Sequence, residues 1–304
     1  MLYAITHRTT YTYASDVSVS HHIAHLRPRA LRWQELQDFA LEITPEADAL
    51  AERIDFHETP ATFFTIEKPH AELVVTARSR VRVAAPVLPR ETPAWETVRD
   101  ACAADVLTDA TATGEFRFDS RHVVRSAAFA DYAAASFPAG QPLLDGLRDL
   151  TARIFRDFKF DKRATTVATP LQEFFQNRRG VCQDFAHFGI ACLRSLGLPA
   201  RYVSGYLETI PPRGKKRLIG ADASHAWIAA WCPGYGWIDA DPTNNLLPGD
   251  RHITVAWGRD FSDVSPLRGV VVGGGEHELK VSVDVAPIAE SSLGFSPNAQ
   301  GTSG

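Results

Sequence analysis

The chain has 304 residues, 45% hydrophobic and 22% charged, and its 32 basic and 36 acidic side chains leave a net charge of −4. This mixture excludes a chain disordered throughout, and at roughly 150 residues per domain it allows about two domains. The slight acidic balance offers no basic groove for nucleic acid, and no apolar run reaches the ~18–20 residues that cross a bilayer.

The opening MLYAITHRTTYTYASD alternates polar and apolar positions, unlike the basic end and apolar block of a secretion signal. Four cysteines, Cys102, Cys182, Cys192 and Cys232, form no CxxC pair, so reduced thiols and a cytoplasmic location are expected. Residues 1–85 read as strands. The stretch 61–83 is rich in Thr, Val, Phe and Ile and alternates at its end, the pattern of a sheet with one buried face. His21, His22 and His25 fall in this region and read as structural or exposed. Residues 86–140 read as a Pro- and Ala-rich linker followed by a helical segment.

Further on, Leu147, Leu150, Ile154 and Phe158 recur at helical spacing. In TPLQEFFQNRRG, Thr169 is placed to cap a second helix, with Pro170 in its first position, Gln172 completing a capping box and Gly180 near its stop. A third helix starts at Cys182, carries Phe185, Phe188, Cys192, Leu193 and Leu196 on one face, and ends at Gly197 and Pro199. Strands follow at 200–210, 225–231 and 237–241, and again at 269–273 and 278–287. The Gly- and Lys-containing stretch 211–224 reads as a loop, Gly273–Gly275 as a hairpin turn, and 289–304 as a loose tail.

Cys182 sits where a helix begins. Unpaired backbone N–H groups and the positive end of the helix dipole there favour a thiolate, the nucleophilic form of cysteine. The competing reading of a free cysteine is a small buried hydrophobe, which suits mid-helix Cys192. A nucleophilic thiol needs a base, and the base needs an orienting group. If Trp231 pairs with Trp237 across CPGYG, His225 and Asp241 lie a diagonal step apart on one sheet face. A slip of one residue sends them to opposite faces. Asp239 shares the face of Asp241 and competes with it. Metal binding by Cys182, His187 and Cys192 is excluded by their spacing of five on one helix, which points successive side chains apart. Asp184, in the first turn, is expected to stabilise the helix start with its carboxylate turned away from the thiol.

GVCQDFAHFGIACLRSLGLPARYVSGYL (180–207), SHAWIAAW (224–231) and GWIDADPTNN (236–245), taken together and in this order, resemble the core of the transglutaminase-like superfamily. Members are cysteine acyl-transfer proteins with a papain-related α+β core. The THRTTYTY opening and HLRPR resemble the β-rich region preceding that core in bacterial members, and residues 257–285 resemble its closing part. The resemblance implies an α+β protein with an N-terminal β-sandwich-like domain over 1–85 and a papain/transglutaminase-like catalytic core with closing strands over 141–288. It implies Cys182 as nucleophile, His225 as its partner and Asp241 as the third member, which decides against Asp239. The implied reaction is acyl transfer through a thioester on a protein or peptide substrate, with no metal or organic cofactor. Hydrolysis is the first expectation; amine cross-linking and a non-catalytic binding module are the alternatives. One departure concerns the oxyanion: animal transglutaminases place a tryptophan upstream of the cysteine, and no Trp lies between Trp95 and Cys182. The backbone N–H of Cys182 supplies one donor, and Gln176 is a weak candidate for the second.

Overall fold

The computed structural model describes residues 1–104, 113–209 and 224–289. Its N-terminal strands are β1 (Leu2–Ala24), β2 (Gln34–Thr44), β3 (Ala49–Ile54), β4 (Pro60–Ile66) and β5 (His70–Val83). Then come α1 (Trp95–Ala103), α2 (Ala127–Ala134), α3 (Leu143–Asp157), β6 (Lys159–Phe160), α4 (Leu171–Asn177), β7 (Arg179–Gly180) and α5 (Cys182–Ser195). Four strands follow, β8 (Ala200–Leu207), β9 (Ser224–Cys232), β10 (Gly236–Ala240) and β11 (His252–Gly258). A short α6 (Phe261–Val264) leads to β12 (Leu267–Gly273) and β13 (His277–Pro287). The stretches 211–223 and 290–304 lie outside the described residues. Among the described residues, no helix is long and apolar enough to cross a membrane.

β1 organises the N-terminal half as the shared member of one curled, seven-stranded sheet of order β2-β5-β1-β4-β3. Its alternation buries Tyr3, Ile5, His7 and Thr9 on one face, opposite Val81, Ser79, Ala77 and Val75 of β5. β12 and β13 also pair with β1, running antiparallel to it from Leu267 opposite Ala24 to Pro287 opposite Tyr3. This corrects the hairpin expected at Gly273–Gly275, which would have paired β12 with β13. Instead the three glycines, at φ 95, 80 and 64, form a kink between two successive segments on one edge of β1. Hydrogen bonds from Gly274 N–H to Asp16 O and from Ala14 N–H to Glu276 O hold it there. The closing strands, grouped with the catalytic core on sequence, therefore complete the N-terminal sheet.

The second half is built round α5, which is buried on every side from Asp184 to Arg194. It packs on the four-stranded antiparallel sheet β10-β9-β8-β11. Gly189 allows this approach, since a Cβ there would lie 3.1 Å from Ile228 Cδ1. On its other side, the expected Leu147, Leu150 and Ile154 of α3 are fully buried, and Phe158 stacks on Phe174 and meets Phe188. The helical part of 86–140 joins the same core through Val98 and Cys102 of α1 and Phe129 and Ala133 of α2. β11 carried no recognisable signal in the sequence.

The cap of α4 is displaced by one residue from the expected place. Pro170 holds extended backbone just outside the helix, and the Thr169 hydroxyl instead accepts a hydrogen bond from Thr166 N–H. The chain leaves α4 at Arg178, at a left-handed φ of 54, rather than at Gly180. At the far end of α5, the buried Arg194 guanidinium donates to Ala200 O, Phe118 O, Arg259 O and Ser120 Oγ. It ties the helix to three other segments. Arg194→Met should strand several buried acceptors and cost about 3 kcal/mol or more; urea unfolding showing under about 1 kcal/mol would contradict this role.

Candidate active site

The local structure round Cys182 follows from its neighbours. β6 and β7 pair in parallel and deliver Val181 in extended backbone at the cap of α5. Gly180 is required for room rather than backbone freedom: a Cβ would lie 2.5 Å from Asp184 Oδ2 and 2.7 Å from the Phe174 ring. The Asp184 carboxylate accepts hydrogen bonds from Val181 N–H at 2.8 Å and the Thr165 hydroxyl at 2.6 Å. It thus faces the cap, as the sequence predicted. Cys182 is half-buried as the first helical residue, so its backbone N–H has no partner inside the helix.

The β9–β10 hairpin adopts the predicted register, with Trp231 opposite Trp237 and Asp239 opposite Ala229. Just past β10, Asp241 Oδ2 accepts from His225 Nε2–H at 2.8 Å. The Cys182 thiol lines the same cleft as this imidazole and favours its charged form. With Nε2 committed to Asp241, Nδ1 is the ring nitrogen left for the sulfur. The structure therefore brings Cys182, His225 and Asp241 together.

Asp241 has no exposed surface, and its solvation is replaced in full. Oδ2 accepts from His225, from Asn244 Nδ2 at 2.8 Å and from His252 Nε2 at 3.2 Å. Oδ1 accepts from the backbone N–H groups of Thr243 and Asn244. Burial pushes this carboxyl up, but His225 and the other donors outweigh it and hold it well below the usual carboxylate range. Burial pulls His225 down, yet Asp241 and Cys182 prevail and push it up to about 10. Asp239 is taken by Trp227, whose Nε1–H donates to it at 3.2 Å.

His252 is the residue that sequence reasoning missed. It reaches Asp241 from β11, and its Nδ1 is buried without a partner among the described residues. His225 Nε2, Asp241 Oδ2 and His252 Nε2 lie close enough to one another for a metal site. Their hydrogen bonding suits a relay better, since three N–H donors already converge on one oxygen. Of the other expected groups, His187 Nε2 accepts Phe261 N–H, and burial pushes the Cys192 thiol up. His21 is exposed, whereas His22 and His25 are buried. Gln176 is exposed on α4; Gln183 of α5 lines the cleft instead.

The cleft over the thiol holds about 290 Å³. Cys182, Tyr202, Ser204 and His225 form one wall, and His7 and Thr9 of β1 with Leu279 and Val281 of β13 form the other. The N-terminal sheet is thus part of the site. His7 is no acid–base group at neutral pH: burial pulls it down to about 4, and its ring nitrogens face the Tyr206 and Thr9 hydroxyls.

A helix beginning at Cys182 packed on an antiparallel sheet, behind a curled β-rich sheet, defines a class of protein that comparison bears out. Residues 131–242 match the transglutaminase-like superfamily, and residues 3–82 match the bacterial transglutaminase-like N-terminal region. An uncharacterized protein of Mycobacterium tuberculosis is 40% identical over 301 residues, covering 96% of this chain and 94% of the relative. The chain belongs to the transglutaminase-like superfamily. A protein-glutamine gamma-glutamyltransferase of Pseudomonas aeruginosa is 32% identical over 126 residues, 36% of this chain and 19% of that protein. Among solved structures, a candidate cysteine protease from Cytophaga hutchinsonii shares the fold with a TM-score of 0.71 at 22% identity, covering 94% of this chain and 90% of that one.

The raised His225 pKa sets a pH dependence of stability. Its contribution is complete below its ordinary value of 6.5 and is lost as pH rises toward about 10. Asp241→Asn removes the carboxylate responsible. The difference in unfolding free energy between wild type and Asp241→Asn should therefore shrink from pH 6.5 to 10; a difference that is flat or grows would contradict the assignment.

Proposed function

We propose that the protein is a cysteine-dependent acyl-transfer enzyme acting on peptide or amide bonds, with water as the acceptor. The observation that carries this reading is His225 bonded to Asp241 in the cleft lined by Cys182. With Asp241 stabilising imidazolium, the Cys182 proton rests on His225 and the sulfur is held as thiolate. The thiolate attacks the carbonyl carbon, and the resulting oxyanion faces the free N–H of Cys182 at the start of α5. His225 then gives its proton to the leaving nitrogen as the C–N bond breaks, leaving a thioester. A water, deprotonated by His225, attacks the thioester; the acid departs and Cys182 is restored. At about 30 Å³ per water, a cleft of about 290 Å³ leaves space for water beside the acyl group. All four cysteines are free, which suits the proposed cytoplasmic setting.

Tyr202 is the second oxyanion donor in this reading. It lines the cleft, a charge on Cys182 acts on it, and burial keeps its hydroxyl protonated. Tyr202→Phe should lower kcat roughly 10²-fold with little change in KM; an unchanged kcat excludes it as a donor. Amine transfer is the second reading, favoured by the gamma-glutamyltransferase relative over residues it shares with this chain.

Both readings meet in one assay. Glutamine-containing peptides incubated with the protein, with and without a primary amine, should release ammonia or peptide fragments without amine being incorporated. Cys182→Ala should abolish turnover while leaving the fold intact. Incorporation of the amine would favour transfer, and turnover surviving in Cys182→Ala would exclude the cysteine mechanism.

A further inference from the structure

A second groove, of about 1130 Å³, lies between the N-terminal sheet and the face of the core sheet turned away from α5. It shares no lining residue with the thiol cleft. Arg201 of β8 stands in its wall, opposite Ala229 and therefore on the face that carries Trp227 rather than Ala226. Its guanidinium lies between two indoles, 4.3 Å from the Trp237 ring and 3.8 Å from the Trp257 ring. The residue is only 7% exposed, yet its Nε has no partner, and the guanidinium makes no hydrogen bond or ion pair among the described residues.

That arrangement is unusual. A buried guanidinium is ordinarily fixed by carboxylates or carbonyls, as Arg194 is in this same molecule. Asp239 acts on Arg201 only from a distance, being hydrogen-bonded to Trp227. Arg29 adds to the positive field: its guanidinium lies 3.3 Å from the same Trp257 ring, with one nitrogen on the Thr59 hydroxyl. The two tryptophans hold the Arg201 fork in place without using its N–H donors, which is how a planar, bidentate carboxylate receptor is preorganised.

We propose that this groove binds a peptide carboxylate through Arg201, with the neighbouring residue of the ligand packed on the aromatic wall. The exposed Glu58 and Arg32 also line the groove, and Glu115 there is paired with His57 at 3.3 Å. The Arg201 fork is thus the buried charge left to receive a single carboxylate. The exposed Phe56 and the indoles of Trp237 and Trp257 supply the apolar surface. Arg201 lies four residues along β8 from Gly205, the partner of His225, so the groove is about 13 Å from the histidine at ~3.3 Å per residue. Binding here is independent of the acyl-transfer reading.

Three probes test it by calorimetry and tryptophan fluorescence on the full chain with Cys182 alkylated: acetyl-Gly-Phe with a free carboxylate, acetyl-Glu-Phe amide, and acetyl-Gly-Phe amide. At least one charged probe should bind saturably, and at least tenfold more tightly than the uncharged one. The tighter of the two charged probes identifies a chain terminus or an acidic side chain as the source. Arg201→Gln should erase the preference and Arg201→Lys should retain part of it. Equal binding of charged and uncharged probes, no binding, or an unaltered preference in folded Arg201→Gln would overturn the proposal. Should both Arg201 variants fail to fold, Trp257→Phe should reduce the fluorescence change on binding; an unchanged signal would place the ligand elsewhere and overturn it as well.

Discussion

A carboxylate with no exposed surface is tolerated only if protein groups replace every hydration contact it has lost. Asp241 meets that condition with donors from three places: His225 on β9, the turn after β10 with its backbone N–H groups and the Asn244 amide, and His252 on β11. The site therefore depends on β9, the turn after β10 and β11 coming together, with β8 lying between β9 and β11. In return the carboxylate fixes the His225 ring, its tautomer and its preference for the charged form. Whatever reactivity Cys182 has depends on that arrangement. His252 donates to the same oxygen as His225 and the Asn244 amide.

The same logic explains why the N-terminal sheet is not a detachable module. One hydrophobic core runs from Tyr3 and Ile5 of β1 and Val283 and Val285 of β13 into α3, α5 and the core sheet. Gln34 bridges the halves by pairing both its amide groups with the backbone of Thr254, where the β8–β11 register shifts. Tyr3 donates to Glu208 across the same junction. With these contacts in place, β1 and β13 are held over the thiol, and they set the width of the cleft. What fits the cleft is then limited by residues of both halves, not by the core motifs alone.

What the sequence made legible was local or followed from a parity rule. The start of α5 at Cys182, the apolar stripe of α3 and the Trp231–Trp237 register each depend on neighbours within a turn or a hairpin. Asp241 was separated from Asp239 only by resemblance to a family, since both share a strand face. The structure adds the reason: Asp239 is spent on Trp227, while the DPTN turn delivers two backbone donors to Asp241. His252, Tyr202 and the seating of β12 and β13 on β1 were illegible. The seating of β12 and β13 on β1 joins segments roughly 240 to 280 residues apart, whereas His252 is only 11 residues from Asp241 and depends on how β11 folds back onto the sheet. The Thr169 cap failed for a different reason, two competent N-terminal signals lying side by side, with the fixed φ of Pro170 ending the contest one residue later.

The position of His225 within β9 is itself constrained. Ala226, Ile228 and Ala230 face α5, and small residues among them let the helix lie close to the sheet. The intervening positions, His225 and Trp227, point to the other face, where Asp241 and Asp239 wait. A histidine in the place of Trp227 would reach those carboxylates but would be screened from the thiol by its own strand. As the second residue of β9, His225 stands at the end of the sheet, where one ring can touch a carboxylate on the far face with Nε2 and still present Nδ1 to a sulfur at the tip of the helix. The connection between the two faces is thus made at the single place where the strand does not block it. Gly205 serves the same corner from β8: a Cβ there would strike both the Ile253 carbonyl and the Trp227 ring, 2.6 Å away at its edge, displacing the strand that carries His252.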